Sequence, residues 1–420
     1  MNEDNMKRDR ALDALQRALE DWARHGNEQP LTRWLARELD SQGAPIRLPI
    51  SDWHDCLKGV LRAQPHDGVW PSHWDEPITR LVQTTLWFTR RDGVPVTELD
   101  PAKSNQPTHW TNRDYANPLR GPCVERIIQQ WMSKTKSTYS DGRRPAWGGS
   151  KRVLDVLRPG WPVEDDFLAI DHRDAESLCR FELFGAGRSW LGPLWKTYAG
   201  STATSAPKTQ SWISDSAGSL AEWSYRAGGA RITQSALMLR GRSLALLSIL
   251  VDDRSGSRSN PGLSVSLPRA IAAAAIEKSR AFLLTPSSKR GSAQVLPIGL
   301  PSLPYPTERG AFLAQSDGLV LNQASAGRRC WLPLLVSWDS KRHRREVHWR
   351  VLSVSENARN VTPDRAFAVR VSWGRDETYV IYRSLGKPAP RAFLGHQTTA
   401  RFLIGLFKAD GFIEPILKVD

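Results

Sequence analysis

Cysteine is scarce in this chain of 420 residues, and its four copies (Cys56, Cys123, Cys179, Cys330) lie far apart. No CxxC spacing occurs, so they do not read as a zinc site, and they do not make a disulfide framework. Long apolar runs are missing too: none reaches the roughly 18 residues that suggest a membrane span. The sequence has no phosphate loop, nucleophile elbow, HExxH helix or dinucleotide fingerprint. It therefore implies no cofactor. Its first residues, MNEDNMKRDRALDALQRALEDW, make an amphipathic pattern with no apolar signal core. The expected location is cytoplasmic, with no membrane partner.

Tryptophan, by contrast, is abundant. Its 18 copies outnumber 7 tyrosines and 11 phenylalanines, which predicts an aromatic core built largely from indole. Positive charge is also plentiful, with a net of +14, and it is unevenly placed. Residues 1–150 hold 21 Lys+Arg against 20 Asp+Glu, whereas residues 151–420 hold 37 against 24, a net of +13. Two readings fit that excess: a domain that meets an anionic partner, or a charge that serves only solubility.

The apolar period divides the chain at about the same place. Leu12, Leu15, Leu19 and Trp22 share one helical face, and Leu31, Trp34, Leu35 and Leu39 repeat the pattern after Pro30. Helices are also expected at Trp53–Leu61, from Asp75-Glu76-Pro77 onward, and at Val124–Met132. Beyond residue 150 the period becomes two. Arg231–Val251 holds two apolar runs hinged at Arg240-Gly241-Arg242, and AFAVRVSW places Phe367, Val369, Val371 and Trp373 on one face. A closing hairpin turns at Asp410-Gly411. Ala270–Arg280 is helical by propensity, but its strand-rich surroundings favour a strand. The expected fold is an α+β multidomain chain: a helical domain at 1–140, a polar linker at 141–167, and a large antiparallel β-sandwich at 168–420.

Several pieces of the β region occur in a familiar order: ALMLRGRSLALLSILVDD, AQVLPIGLP, WRVLSVSE, AVRVSWGRDETYVIYRSLG, and LGHQTTARFLIGLF followed by KADGFIEPILKV. Together they resemble the C-terminal supersandwich of heparinase II/III-like proteins, over roughly residues 168–420. The resemblance implies a cleft that holds an acidic polysaccharide. In the lyases of that superfamily His or Tyr removes the C5 proton of a uronate and Tyr protonates the leaving oxygen; the helical part supplies an Asn and a Tyr, the sandwich a His. Carried onto this chain, these roles fall to Tyr115 and His348 as catalytic candidates, with Asn112 beside Tyr115 as a binding residue. The helical region here is less than half the usual size, which puts lyase activity in question.

The densest charge cluster is KRHRREVHWR, Lys341–Arg350. Arg342, His343, Arg344, Arg345, Trp349 and Arg350 can form an anion-binding patch, with arginine gripping carboxylate or sulfate and tryptophan stacking on a sugar. Alternatively the run is a solvated turn entering a strand whose tryptophan is core. A strand across 343–348 would send His343 and His348 to opposite faces, so no metal site is assigned. Arg188, in FELFGAGRSWLGPLW, is a further binding candidate. It lies between a glycine bend and Trp190, and a charge there needs water or a partner. Three functions follow in order: a heparinase II/III-like protein that binds, or also cleaves by β-elimination, an acidic polysaccharide; a non-catalytic binding or assembly module meeting another polyanion; and a nucleic-acid-binding protein, ranked last because no nucleic-acid fold is recognised.

Overall fold

Where apolar residues recur at helical spacing, the chain is helical. The computed structural model describes residues 3–40, 43–46, 48, 50–63, 71–88, 154–157, 166–172, 178–198, 203–253, 260–277, 279–287, 291–302, 309–325, 327–339, 341–375 and 377–420. The chain divides into two units, Met1–Gly142 and Arg143–Asp420. The described part of the first holds α1 (Glu3–His25), α2 (Gln29–Glu38), α3 (Ile50–Arg62) and α4 (Asp75–Trp87). Pro30 lies in the first turn of α2, where no N–H is missed. Asp75 and Glu76 open α4 and complement its positive end. Indole N–H groups join the helices through backbone carbonyls: Trp34 donates to Ala11 O and Trp22 to Ala63 O, each at 3.0 Å. Arg8 ties α1 to α3 through two bonds to Asp52, 2.5 and 3.1 Å long. No helix among the described residues is long and apolar enough to cross a membrane. The helix expected at Val124–Met132 lies outside the described residues.

The second unit is built from antiparallel sheets. Its middle sheet runs in the order Ile271–Ala275, Phe282–Pro286, Ala293–Leu296, Arg329–Ser337, Leu244–Asp253, Ala230–Leu239, Gly218–Ala227, Lys208–Ser214. One of its faces packs Trp223, Ile232, Leu247 and Leu332 against Phe181, Leu183, Trp195 and Leu263 of a first sheet. The opposite face packs Leu220, Leu237, Leu246 and Leu335 against Trp349, Val369, Trp373 and Ile381 of a third sheet. Both parities of LALLSILV are therefore apolar, because both faces of that strand are covered. The third sheet orders Val347–Leu352, Ala366–Trp373, Glu377–Ser384, Phe402–Phe407 and Ile413–Val419. A small fourth sheet (Ser355–Glu356, Arg359–Asn360, Arg391–Phe393, His396–Thr398) covers part of its outer face through Val354, Phe393, Tyr382 and Leu403.

The α+β class and the large sandwich are as the sequence predicts. The alanine-rich segment is a strand, Ile271–Ala275, held by pairing with Phe282–Pro286. Tertiary pairing here overrides helix propensity. One difference lies in the stretch 141–167, expected to be a linker: Leu154–Leu157 is a strand paired with Phe167–Asp171. Indole dominates the interior, as Trp53, Trp74, Trp190, Trp195, Trp223, Trp331 and Trp373 are all fully buried. Burying such a side chain contributes on the order of 1.5–3 kcal/mol or more.

The FELFGAGRSWLGPLW stretch is a hairpin between Leu178–Gly185 and Arg188–Leu191. Gly185 is required by close approach, since a Cβ there would lie 2.5 Å from the Trp338 indole. Gly187 supplies a turn φ of +78°. Phe181, Trp190 and Trp195 are core.

Candidate functional site

The KRHRREVHWR run does two different things along its length. Its first half follows the strand Arg329–Ser337. Asp339 accepts the Lys341 N–H on its side chain (2.9 Å) and the Arg342 N–H on its carbonyl (3.0 Å), the hydrogen bonding of an Asx turn. Arg342–Arg344 is consequently a short 3-10 turn, not a strand. That turn carries the chain from the middle sheet to the third.

The turn buries Arg342, which is 5% exposed. Its Nε and Nη2 donate to the two oxygens of Glu377 at 2.9 and 2.7 Å. Nη2 also donates to Tyr379 Oη at 3.3 Å, and Nη1 to Arg242 O at 2.5 Å and Ser337 Oγ at 3.3 Å. The guanidinium lies 5.4 Å from the Trp373 ring centre. A guanidinium has five N–H donors, and these contacts employ all of them. Desolvation opposes charge on Glu377, but the Arg342 bonds prevail and hold its carboxyl below the usual range. Arg342, expected to bind ligand, instead ties the Arg242 turn to the third sheet.

His343 follows on the same turn and is half-buried. Its Nε2 lies 3.1 Å from Ser337 O and its Nδ1 2.6 Å from Ser292 Oγ. A carbonyl only accepts, so Nε2 carries the proton and donates to Ser337. In the neutral ring Nδ1 is then an acceptor, and Ser292 Oγ–H donates to it. Burial pushes the pKa of His343 down, with Ser337 and Asp339 opposing and Arg342 reinforcing. His343, Arg345 and His348 line one cleft of about 170 Å³, with Gln294, Glu277 and Glu346. The two histidines thus share a cleft, contrary to the expectation of opposite faces, because the strand starts only at Val347. Among the described residues no group of three or more His, Cys, Asp or Glu is placed to hold a metal.

The second half of the run, Val347–Leu352, alternates as a strand should. Val347 and Trp349 are buried, and His348 and Arg350 are exposed. Trp349 donates its indole N–H to Leu300 O at 2.7 Å. It is core, so no sugar stacks on it. On the outer face Arg350 stands directly opposite Arg370 of Ala366–Trp373, and His348 opposite Ser372. Ser372 and Thr378 hydroxyls lie 2.9 Å apart on the next strands. Arg370 lies over the Phe407 ring, 5.8 Å from its centre. Neither Arg350 nor Arg370 has an ion pair among the described residues. Like charges directly opposite across a ladder are destabilising, so this strip of sheet is a place where an anion would be welcome.

Arg344 and Arg345 are exposed; Arg345 sits against Gly374 at the next hairpin turn. His348 pairs with Glu346 at 3.1 Å. Arg188 lies over Trp190 at 5.4 Å, far from this run in sequence and in a different sheet. Tyr115 and Asn112 lie outside the described residues. Ser292, Gln294 and Arg370 are additions of the structure. Ser292 is 51 residues from its histidine, and Arg370 stands out only once the strand register pairs it with Arg350.

No protein-family model matches this chain, and no curated protein matches it.

Proposed function

We propose that the Arg143–Asp420 unit is a β-sandwich that binds an acidic polysaccharide along the open outer face of its third sheet. One observation carries this reading: Arg350 and Arg370 stand opposite each other with no ion pair to either among the described residues. Each guanidinium can grip a carboxylate or sulfate through two parallel bonds. Neighbouring strands lie about 4.8 Å apart, so the pair presents a compact double positive charge. His348, Ser372 and Thr378 extend the strip with groups suited to sugar hydroxyls. The net charge of +13 over residues 151–420 would draw a polyanion toward it. The resemblance of residues 168–420 to the heparinase II/III-like sandwich points to the same ligand class. β-Elimination is not part of the proposal, since His348 is exposed and paired with Glu346.

Heparin and polygalacturonate binding by the full chain tests it. Arg350→Ala with Arg370→Ala should weaken binding about tenfold or more, since hydrogen bonds to charged groups contribute about 1.5–3 kcal/mol each. Affinity should also fall steeply with salt. Arg188→Ala should leave binding unchanged. Unaltered affinity in the double variant would sink the assignment of the strip. A clear preference for single-stranded DNA over both polysaccharides would turn the reading to nucleic acid.

A further inference from the structure

The strand Ile271–Ala275 ends the middle sheet, and one side of its backbone is an open ladder. On the paired side Ser287 N–H donates to Ala270 O at 2.9 Å and Ile276 N–H to Ala281 O at 3.0 Å. Bonding positions alternate in an antiparallel ladder, so Ala272 and Ala274 also face Phe282–Pro286 and the odd-numbered residues face away. The Ile271 N–H is taken by Pro268 O at 2.9 Å. Ile271 O and both backbone groups of Ala273 and Ala275 remain, and no strand among the described residues pairs with them. An edge of this kind is a template for another strand.

Other edges of the unit are blunted by the usual devices, a charged side chain, a bulge or a covering group. Lys208–Ser214, at the far end of the same sheet, carries a lysine and a register shift between Thr209 and Ser211. On Gly310–Gln315, which ends the first sheet, Arg280 donates to Gly310 O at 2.7 Å. Ile271–Ala275 has no charge, no proline and no register shift. Its charges stand just beyond its ends, Arg269 before it and Glu277 after it, both exposed and equally far in sequence from Ala273. The two ends are therefore complementary when a second copy of the strand runs antiparallel to the first.

From this we infer that two copies of the chain pair edge to edge through Ile271–Ala275, antiparallel about a two-fold axis at Ala273. Ala273 N–H of each copy donates to Ala273 O of the other, and Ala275 N–H of each donates to Ile271 O of the other. The same register sets each Arg269 opposite Glu277 of the other copy. Moving the axis to Ala272 or Ala274 would set Arg269 opposite Ala275 or Ser279 and lose both charge pairs. A closed two-fold contact uses one patch on both copies. A strand of this length extends about 17 Å, which places the contact at the small end of specific interfaces, so pairing depends on concentration. It is independent of the anion strip, which lies on a different sheet.

Sedimentation velocity of the full chain tests this. Wild type should shift from monomer to dimer between about 1 and 100 μM, the range of weak specific contacts. Ala273→Pro removes the central N–H, which points away from Phe282–Pro286, and proline is tolerated at such edge positions. The variant should stay monomeric over the same range with an unchanged circular dichroism spectrum. Cysteine pairs read the register without relying on that variant. Ala272 of one copy opposes Ala274 of the other, with Cα atoms about 4.5 Å apart at a non-hydrogen-bonded position, within disulfide reach. Like positions lie on the diagonal, roughly 7–8 Å apart, and are too distant. Mixing Ala272→Cys and Ala274→Cys proteins under mild oxidant should therefore give a 272–274 disulfide, mapped by mass spectrometry, and either protein alone should give no disulfide at these positions. A wild type that stays monomeric throughout, undiminished dimer in folded Ala273→Pro, or a mixture without the 272–274 disulfide would overturn the inference.

Discussion

Arg342 and Arg350 sit eight residues apart in one basic run, yet the fold puts them to opposite uses. Arg342 enters a turn, is buried, and meets Glu377, Tyr379, Ser337 and the Arg242 carbonyl. Arg350 enters a strand, points outward, and stands opposite Arg370 with no ion pair among the described residues. Net charge counts the two equally, but only one is available to a partner. The contrast extends through the unit. Arg383 is buried against Glu222 at 2.5 Å, with Arg401 on the same carboxylate at 2.7 Å. Arg391 is buried against Glu356 at 2.9 Å while also donating to Ser384. Part of the positive excess of residues 151–420 thus joins sheets together, and the part that faces water lies on strips such as Arg350–Arg370. Where an arginine finds an acid is decided by packing, and only the unmatched ones argue for a ligand.

The contrast breaks most sharply at Arg342. Removing one member of a buried, hydrogen-bonded ion pair costs about 3–5 kcal/mol, because the partner charge is left without compensation. Arg342→Ala should therefore lower the unfolding free energy of the sandwich unit, measured by urea titration, by that much, with Glu377 left beside Trp373 without its guanidinium. Arg344→Ala, two residues away on the exposed side of the same turn, should stay within about 0.5 kcal/mol. Equal effects from the two substitutions would show that Arg342 is not the interlayer tie described above.

How much of this contrast was legible beforehand depends on sequence distance. The inward Trp349 and outward Arg350 follow from strand alternation within six residues, and the common face of Phe367, Val369, Val371 and Trp373 does too. Helix starts at Pro30 and Asp75 were equally local. The fate of Arg342 was not, since Glu377 lies 35 residues away and the turn that the run allowed for was read as solvated, whereas the Asx turn at Asp339 leads Arg342 into the interior. The Ser292–His343 pair spans 51 residues and carries no motif. A sandwich was foreseeable from the period of two. That its middle sheet would be covered on both faces was hinted only by the unbroken apolar run of Leu244–Val251.

A second effect separates buried groups that have partners from one that lacks them. His172 ends the strand Phe167–Asp171, is 3% exposed, and lies 4.6 Å from the Trp223 ring with its Nε2 unbonded among the described residues. Burial pushes its pKa down to about 4, against a small opposing effect of Asp171. The sign follows directly. Between about pH 6.5 and pH 4 the unfolded chain takes up a proton at this histidine and the folded chain does not, so stability falls as pH drops through that window. The loss is complete near pH 4 and amounts to about 3 kcal/mol at most. Glu222, Glu356 and Glu377 all have depressed pKa values, so their stabilising contributions fade only at lower pH, below about 4.5. Denaturant titrations at pH 7 and pH 5 on wild type and His172→Phe should therefore differ in slope with pH. A wild type as pH-insensitive as the variant would contradict the assignment.

The smallest effect sharpens the comparison most, because its sign is unusual. If Arg350 and Arg370 are an unmatched pair held for a ligand, the empty protein carries their repulsion. Like charges directly opposite in a ladder destabilise by a few tenths of a kcal/mol, within the 0.2–1 kcal/mol range of cross-strand pairs. Arg350→Ser should accordingly raise the stability of the ligand-free chain slightly at low salt, and the gain should shrink as salt screens the pair. The opposing contribution, lost packing of the arginine stem over the sheet, does not depend on salt. The informative quantity is therefore the difference in unfolding free energy between Arg350→Ser and wild type, measured at about 0.01 M and at 1 M salt. A gain that declines with salt, together with weaker polysaccharide binding, marks a residue kept for its ligand at the expense of its fold. A loss of stability that salt does not alter would instead place Arg350 with Arg342, among the arginines whose work is done inside the protein.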